Sequence, residues 1–487
     1  MAINFGTDGW RAVISDTFTF GNLRTVAQAV ADAVKTSTWQ DLSKGAEIEN
    51  NDRIVIGYDT RFLSDRYAKE VARVLAANGF TVYLSQSDVP TPVISYAVKD
   101  IGAVAGVMIT ASHNAPRYNG VKLKAAFGGS ALPEQCKLVE VYLNDNETLA
   151  RGPNLIDFGK ARELDLIKTF NPLLEYGNHL RNLIRFDLIA EAKDLRIVVD
   201  SMYGSGRGVI RNMLQGTGVE VNEIRNDMNP GFGGVHPEPI YRHLGALASA
   251  LAAGLGNLGL ATDGDADRIG AMDERGNFID PHKILALSVK YLHEQRGLSG
   301  ALVRTVSTTR MIDVLGRKYG MEVFETPVGF NHISDHMMER DVLIGGEESG
   351  GISFKGHIPE GDGIIMGLLI TEMVAAQHAT LGELVDQLAE EIGNFYYDRT
   401  DLRLRHPVSK KEMIKMLLDQ APQEIGGEKV QEINTLDGVK YIMADDSWLL
   451  IRPSGTEPVL RVYAEGRSTQ MVKELLGFGN SIAETVK

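Results

Sequence analysis

The chain contains a single cysteine, Cys136, among 487 residues. One cysteine cannot close a disulfide within the chain, which is typical of a reducing compartment. Long apolar runs are also missing, because the most apolar segments, 246–262 and 364–377, are interrupted by glycine or glutamate. Neither reaches the roughly 18 apolar residues that a membrane span needs. The stretch MAINFGTDGW has no basic segment followed by an apolar one. We therefore expect a cytoplasmic protein that does not bind membranes.

Positive charge is scarce. Lys and Arg number 50 against 64 Asp and Glu, so the formal net charge is −14. A chain this acidic is a poor candidate for nonspecific nucleic-acid binding, and we expect no nucleic-acid partner. If the substrate is an anion, the positive charge that binds it must be local.

Several motifs of known chemistry are absent from the sequence. There is no Walker A sequence and no complete G-x-G-x-x-G, since YGSGRG at 203–208 lacks the pattern. The nucleophile elbow G-x-S-x-G is missing, and the 11 histidines are scattered without the spacing of metal ligands. These absences argue against a nucleotide hydrolase and against a serine hydrolase of the α/β type.

Short apolar runs that end in polar or Gly-rich loops recur along the chain, at 53–61, 105–114, 195–206, 258–268, 301–309 and 342–351. Helical patterns lie between them, so we expect parallel α/β domains whose ligands bind at the carboxyl ends of the strands. Residues 439–466 instead have the pattern of consecutive strands, with helical patterns before and after them. The prediction is three similar α/β domains with mixed sheets, 1–160, 161–275 and 276–390, and a C-terminal α+β domain, 391–487, around a central cleft.

Three aspartates stand at alternate positions in the segment TDGDADR. Crowded carboxylates are costly unless a cation neutralises them, and oxygen ligands suit Mg²⁺ or Ca²⁺. We predict that Asp263, Asp265 and Asp267 form a magnesium site at the end of a strand. An EF-hand is disfavoured, because Arg268 occupies the position where its loop needs glycine. A solvated acidic turn is the remaining alternative.

A serine and a histidine adjoin in ITASHNAPRYNG, as Ser112 and His113. Neighbouring side chains on an extended segment point to opposite faces, so we expect the two to be badly placed for a hydrogen bond. Ser112 is then either an ordinary loop hydroxyl or a nucleophile that receives a phosphoryl group, assisted by a metal, Lys122 and Lys124.

Three further segments are candidate binding loops. RPSGTEP, with Arg461 nearby, combines a guanidinium, hydroxyls and a Gly turn, which suits a phosphate group, although a simple hairpin turn is possible. GEESGG places Glu347 and Ser349 where they could bind sugar hydroxyls, or it is an acidic turn. Arg11, after GTDGW, is by itself an unremarkable arginine.

The motifs TASHN, DGDADR, GEESGG and RPSGTEP, in this order, resemble those of the α-D-phosphohexomutases, which include phosphoglucomutases and phosphomannomutases. The resemblance extends from GTDGWR to the C-terminal phosphate loop. It implies a fold of three α/β domains and a smaller fourth around one cleft. It also implies an intramolecular phosphotransferase, an isomerase that transfers a phosphoryl group within a hexose monophosphate.

The resemblance implies specific roles for residues of this sequence. Ser112 carries the phosphoryl group and, with the three aspartates, contacts Mg²⁺. Arg11 positions the phosphoserine, and His113 and Lys122 are candidates for the general acid and base. The substrate-binding residues that it implies are Arg268, Glu347, Ser349, Arg452, Ser454, Gly455, Thr456 and Arg461. Glucose 1,6-bisphosphate is then the intermediate and activator.

The sequence departs from its relatives at three positions. Gly351 and Gly361 stand where some relatives have histidine and lysine, and Asn331 stands where many have lysine. These departures put an acid or base role for the third domain in doubt. GEESGG leans toward glucose, so we expect a phosphoglucomutase acting on a hexose phosphate, as a monomer or homodimer. A phosphomannomutase, a dual-specificity enzyme, a magnesium-dependent sugar phosphatase and a non-catalytic phosphosugar-binding protein remain alternatives.

Overall fold

A computed structural model of the chain describes residues 3–6, 9–43, 50–404, 409–453 and 459–485. Its strands form four sheets, each with helices packed against it. The first three sheets mix parallel and antiparallel pairs, and the fourth is antiparallel throughout. The predicted fold class is therefore confirmed.

The first sheet is built around a parallel centre. Its strands are β1 (Trp10–Val13), β2 (Asn50–Tyr58), β3 (Thr81–Ser85), β4 (Ala103–Ile109), β5 (Tyr118–Ala125), β6 (Gly129–Ser130) and β7 (Ile167–Phe170). The order is β1-β5-β4-β2-β3-β7, with β6 beside β5. Its helices are α1 (Phe20–Val34), α2 (Ser37–Asp41), α3 (Ser64–Ala77), α4 (Thr91–Ile101), α5 (Pro133–Thr148) and α6 (Phe158–Glu163). Because β4 is covered on both faces, every residue in it is buried, as expected for a central strand.

The second sheet has the order β12-β11-β10-β8-β9. These strands are β8 (Arg196–Asp200), β9 (Glu220–Ile224), β10 (Leu258–Thr262), β11 (Ile269–Met272) and β12 (Phe278–Ile279). The helices before and between them are α7 (Leu173–Leu183), α8 (Phe186–Glu191), α9 (Val209–Leu214) and α10 (Gly245–Ala252). β10 is parallel to β8 and antiparallel to β11, so the chain reverses direction in the segment TDGDADR.

The third sheet, β14-β13-β15-β16, is the smallest. Its strands are β13 (Ala301–Thr305), β14 (Val323–Thr326), β15 (Val342–Gly346) and β16 (Ile352–Phe354). Its helices are α11 (Pro281–Glu294), α12 (Met311–Tyr319), α13 (Phe330–Glu339), α14 (Gly363–Gln377) and α15 (Leu381–Ile392). α14 contacts β10 and β11 of the second sheet as well as β16, and nearly all of its residues are buried. The second and third sheets therefore share one apolar core.

The fourth sheet has the order β17-β22-β21-β20-β19-β18. Its strands are β17 (Tyr396–Arg403), β18 (Glu424–Ile425), β19 (Glu428–Asn434), β20 (Val439–Met443), β21 (Trp448–Pro453) and β22 (Val459–Gly466), with helices α16 (Lys410–Asp419) and α17 (Thr469–Thr485). The predicted run of consecutive strands between helices is present. An apolar cluster joins this sheet to the third through Val306, Trp448 and Tyr463.

The limits of the four domains stay a prediction. β7, which lies within the segment 161–275 assigned to the second domain, pairs with β3 of the first sheet. Among the residues described, no single helix is long and apolar enough to cross a membrane. α14 and α15, bent by 81° at their junction, pass that test only as a pair and only by length and composition.

Candidate active site

Ser112 lies in the turn that connects β4 to β5. The chain turns sharply there because Ser112 adopts a left-handed backbone conformation, with φ of 51°. Its amide donates to Thr110 Oγ1 at 2.8 Å, and that hydroxyl donates to Asp59 Oδ2 at 2.7 Å. Ser112 is 1 % exposed. A buried residue held in a strained conformation is frequent at functional sites.

The expectation that Ser112 and His113 are badly placed for a hydrogen bond is wrong. Ser112 Oγ lies 3.3 Å from His113 Nδ1. The expectation assumed an extended backbone, but the left-handed conformation of Ser112 removes the alternation of side chains. Ser112 Oγ also donates to Asp263 Oδ2 at 3.0 Å. The hydroxyl therefore lies between the imidazole and the aspartate loop.

The three aspartates occupy the turn between β10 and β11. Each carboxylate offers an oxygen, and these oxygens all lie within 4.8 Å of one another. Asp265 anchors this turn to the first sheet's helices, because its Oδ2 accepts from Thr91 Oγ1 at 2.6 Å and its backbone carbonyl accepts from the Thr91 amide at 2.8 Å. The predicted cluster of Asp263, Asp265 and Asp267 is thus formed next to Ser112.

Gly264 makes the close approach of the two loops possible. A Cβ atom at this position would lie 2.5 Å from the carbonyl oxygen of Ser112. No other residue type fits that gap without a shift of the backbone. The glycine in DGDADR therefore allows the serine turn to contact the aspartate turn directly.

Three cationic side chains surround these turns. Lys122 on β5 places its Nζ 3.0 Å from Asp265 Oδ2 and 2.7 Å from Asp267 Oδ2. The Arg268 guanidinium places its Nε 3.9 Å from Asp267 Oδ1 and its Nη1 3.7 Å from Glu238 Oε1. Arg11 Nη1 donates to Asn114 Oδ1 in the serine turn at 2.7 Å. The local positive charge that an anionic substrate would require is therefore present.

The charges shift the titration of the neighbouring groups. Burial raises the pKa of Asp263 well above its ordinary value, and the adjacent carboxylates raise it further. Burial also acts on Asp265, but Lys122 and Thr91 hold the pKa of that carboxyl below its usual range. Burial, with Arg268 and Arg11 nearby, lowers the pKa of His113 well below its ordinary value.

The aspartate cluster has the donors for a metal ion. Asp265 Oδ1 and Asp267 Oδ1 are buried, and no residue within the described ranges donates a hydrogen bond to either. Buried carboxylate oxygens that accept no hydrogen bond are costly unless a cation neutralises them. A set of oxygen ligands suits a hard divalent cation. The three aspartates can therefore hold a metal ion beside Ser112.

Glu347 and Ser349 lie in the turn between β15 and β16. Glu347 Oε1 accepts from the Gly329 amide at 3.0 Å, and Ser349 Oγ lies 3.4 Å from Glu347 Oε2. Burial raises the pKa of Glu347 to about 7, although Arg268 opposes the shift. Gly350 has φ of 97°, and a Cβ there would lie 2.5 Å from the Ile269 carbonyl oxygen. This turn therefore packs directly beside the aspartate turn.

Arg452 and Arg461 face each other across β21 and β22, on one side of the fourth sheet. Arg452 Nε donates to Asp437 Oδ2 at 2.6 Å, and the same oxygen accepts from the Val328 amide at 3.2 Å. The next amide, that of Gly329, donates to Glu347, so two consecutive backbone amides link Asp437 with the Glu347 turn. The predicted residues Ser454, Gly455 and Thr456 lie outside the described part of the chain.

Sequence reasoning missed Arg61. Its buried guanidinium pairs with Asp59 Oδ2 at 3.1 Å and donates to four backbone carbonyls of the serine turn and its end. These carbonyls belong to Ser112 at 2.5 Å, Asn114 at 2.7 Å, Ala115 at 3.0 Å and Tyr118 at 3.0 Å. The only signal was a charged pair, Asp59 and Arg61, directly after an apolar run. Arg61 is a positioning residue for the serine turn.

Lys124 does not join the cations around Ser112. Its Nζ pairs with Glu360 Oε2 at 2.5 Å and donates to Ser130 Oγ at 3.1 Å. Lys124 and Glu360 are both buried, so this pair ties β5 to the segment before α14. Residues two apart on a strand point to the same face, which is why Lys124 was grouped with Lys122. Lys124 instead pairs with Glu360, a carboxylate that is remote in sequence.

Comparison with known proteins identifies four matching domain families. They are the phosphoglucomutase/phosphomannomutase alpha/beta/alpha domains I, II and III, over residues 2–150, 174–276 and 280–392, and the C-terminal domain over 413–477. The chain is similar to a probable phosphoglucosamine mutase of Methanosphaera stadtmanae, with 30 % identity over 99 % of this chain and 98 % of that one. A phosphoglucomutase/phosphomannomutase of Thermococcus kodakarensis is 29 % identical, over 99 % and 98 %.

A solved structure supports the same conclusion. The crystal structure of a putative phosphomannomutase from Thermus thermophilus is 33 % identical, covers 99 % of both chains and has a TM-score of 0.84. Each of these three relatives matches this chain over nearly its whole length. The chain therefore belongs to the α-D-phosphohexomutase superfamily, whose members are isomerases that act by phosphoryl transfer.

Proposed function

We propose that the protein interconverts α-D-glucose 1-phosphate and glucose 6-phosphate through a phosphoserine at Ser112 and bound glucose 1,6-bisphosphate. The observation that carries the proposal is the 3.0 Å contact between the Ser112 hydroxyl and Asp263, inside a cluster of three carboxylates. A buried serine beside a cation site suits phosphoryl transfer, in which charge must be neutralised at the oxygens of the group in transit.

Asp263, Asp265 and Asp267, with Ser112, would hold Mg²⁺. The ion supplies electrostatic stabilisation of the charge that develops on the phosphoryl oxygens. Lys122 and Arg268, which both pair with Asp267, add positive charge beside the cluster, in support of the same role. Arg11, held against Asn114, lies at the serine turn and would orient the phosphoserine.

The reaction consists of two transfers. In the first, a hydroxyl oxygen of the hexose monophosphate forms a bond to phosphorus while the bond to Ser112 Oγ breaks, and the hydroxyl proton passes to a base. In the second, the bisphosphate has turned around, Ser112 Oγ forms a bond to the phosphorus of its other phosphoryl group while the bond from that phosphorus to the sugar oxygen breaks, and the base gives its proton to that sugar oxygen. His113 and Lys122 are the candidates for proton transfer, because His113 Nδ1 lies 3.3 Å from Ser112 Oγ and Lys122 Nζ lies 3.0 Å from Asp265 in the adjoining aspartate cluster.

Other residues would hold the parts of the substrate that do not react. Glu347 and Ser349 are proposed to bind sugar hydroxyls. The phosphate that is not reacting would bind Arg452, Arg461 and the segment with Ser454, Gly455 and Thr456. The burial of Ser112, which is 1 % exposed, supports a site that excludes water and so protects the phosphoserine from hydrolysis.

Glucosamine phosphate is the second candidate substrate. Relatives of this chain are named phosphoglucosamine mutase, and a carboxylate such as Glu347 could pair with a sugar ammonium group. Mannose phosphate is a third option, since other relatives carry phosphomannomutase in their names. The GEESGG loop is the feature that supports glucose.

A coupled assay with the 1-phosphates of glucose, mannose and glucosamine tests the proposal. We expect the highest kcat/KM with glucose 1-phosphate, dependence on trace glucose 1,6-bisphosphate, and no steady release of inorganic phosphate. A higher kcat/KM for either other sugar would refute the preference for glucose. Steady release of inorganic phosphate from each sugar phosphate would instead indicate a phosphatase.

A further inference from the structure

Glu348, the neighbour of Glu347 in the GEESGG turn, does not face the aspartate cluster. Its Oε1 accepts from Arg399 Nη1 at 2.7 Å and from the Tyr397 hydroxyl at 3.3 Å. Both partners lie on β17 of the fourth sheet, whereas Glu348 follows β15 of the third. Glu347 therefore binds the Gly329 amide, whereas its neighbour Glu348 binds two residues of the fourth sheet.

Arg399 lies on the same side of the fourth sheet as the proposed phosphate-binding arginines. Its guanidinium also pairs with Asp401, with Nε 3.2 Å from Oδ1. Asp401 is the cross-strand partner of Arg461 on β22, which is itself the cross-strand partner of Arg452. Residues directly opposite or two apart on a strand share a face. Arg399 therefore connects Glu348 with the surface that carries Arg461 and Arg452.

The pair is partly shielded from solvent, with 13 % of the Glu348 side chain and 30 % of the Arg399 side chain exposed. Burial raises the pKa of Glu348, but Arg399, with His282 and Arg268 nearby, more than offsets this and holds it below its usual range. Glu348 is thus ionised when paired. Removing one partner of such a pair costs more than at a fully exposed surface, because the remaining charge is left partly buried and unpaired.

A second ion pair joins the same two sheets elsewhere. Arg310 Nη2 lies 2.9 Å from Asp446 Oδ1, with side-chain exposures of 15 % and 21 %. Asp446 follows β20 and also pairs with Arg317 at 2.8 Å. This pair resembles Glu348–Arg399 in length and exposure but does not adjoin the GEESGG turn. It can therefore serve as a control for a general loss of contact between the two sheets.

We infer that Glu348 and Arg399 are positioning residues that fix the distance between the sugar-binding turn and the phosphate-binding face of the fourth sheet. A hexose phosphate has to contact both surfaces at once, so it benefits from their fixed separation. A ligand that consists of phosphate alone contacts one surface and does not. The inference rests on the proposed roles of Glu347, Arg452 and Arg461 and adds a role for Glu348 and Arg399.

A double-mutant cycle tests this inference, with Glu348→Gln, Arg399→Gln and the double variant, and Asp446→Asn as the matched control. The measurements are kcat and KM for glucose 1-phosphate, the inhibition constant of inorganic phosphate, and the thermal unfolding temperature. We expect Glu348→Gln to raise KM about tenfold, a size between those of exposed and buried ion pairs, with kcat nearly unchanged. Arg399→Gln should act alike, and the double variant should be no worse than either single one.

The controls separate positioning from general stability. The inhibition constant of phosphate should change less than about twofold in every variant, and Asp446→Asn should leave KM unchanged although it lowers the unfolding temperature. An unchanged KM in Glu348→Gln, an equal rise in Asp446→Asn, or additive effects in the cycle would overturn the inference. If the parent turns over mannose or glucosamine 1-phosphate but not glucose 1-phosphate, the sugar preference fails, and the cycle is measured with the accepted sugar.

Discussion

Arg61→Lys tests whether the hydrogen bonds of the Arg61 guanidinium, and not only its positive charge, hold the serine turn in place. Arg61 offers five N–H donors, and the structure uses them for Asp59 and the carbonyls of Ser112, Asn114, Ala115 and Tyr118. Lysine keeps the charge but has three donors, so at least two of these buried acceptors lose their partner. At about 1–3 kcal/mol for each, the loss is about 2–6 kcal/mol.

A loss of this size should open the turn locally, because it is a large part of the roughly 5–15 kcal/mol that stabilises a domain. Hydrogen exchange measured by mass spectrometry should show faster exchange in the segment 110–118. Turnover should fall about a hundredfold, since a displacement of about 1 Å at a reacting group has that effect.

Arg53→Lys is the matched control, because within the described ranges the Arg53 side chain has a single acceptor, the Ile101 carbonyl, to which Nη1 donates at 3.1 Å, and lysine can replace that bond. Its exchange and turnover should equal those of the parent. If Arg61→Lys also exchanged at the parent rate and kept its turnover within about twofold, Arg61 would not position the serine turn.

Three further predictions concern the aspartate and sugar-binding turns. Gly264→Ala should reduce turnover at least tenfold, about 1.4 kcal/mol, because its Cβ would lie 2.5 Å from the Ser112 carbonyl oxygen. Gly477→Ala, whose Cβ would have no atom within 4 Å, should keep the turnover of the parent, and equal turnover in the two variants would contradict the close approach of the turns. The pKa of Glu347 is raised to about 7, so this carboxyl gains a proton as the pH falls through that value. The ratio of kcat/KM in the parent to kcat/KM in Glu347→Gln should therefore decrease toward acidic pH, and a ratio that stays constant would exclude this titration. Magnesium at about one hundred times its Kd should stabilise the parent by about 2.7 kcal/mol in thermal unfolding but should stabilise Asp265→Asn far less; equal stabilisation would refute the metal site.

The fold followed from the sequence because its signals are local. β4 and β10 are apolar runs buried from end to end, and such runs followed by polar loops and helical patterns predict α/β units without knowledge of distant contacts. The place where Asp263, Asp265 and Asp267 meet Ser112 was also predictable in outline, since the carboxyl ends of parallel strands carry the ligand-binding loops.

The orientation of individual side chains was not predictable in the same way. The left-handed conformation of Ser112 decides that its hydroxyl faces His113, and no residue pattern in ITASHN requires it. The roles of Arg61, Glu360 and Asp437 depend on partners that are remote in sequence, namely Ser112, Lys124 and Val328. Pairing between distant residues is decided by how the sheets assemble, which the sequence pattern of one segment does not contain.

Peptide mass spectrometry of the purified protein, before and after incubation with glucose 1,6-bisphosphate, tests the central claim most directly. The account predicts a single phosphoryl group on Ser112, its loss to sugar when glucose 1-phosphate is added, and no modification in Ser112→Ala. A protein that interconverts hexose phosphates while Ser112 stays unmodified throughout would contradict it.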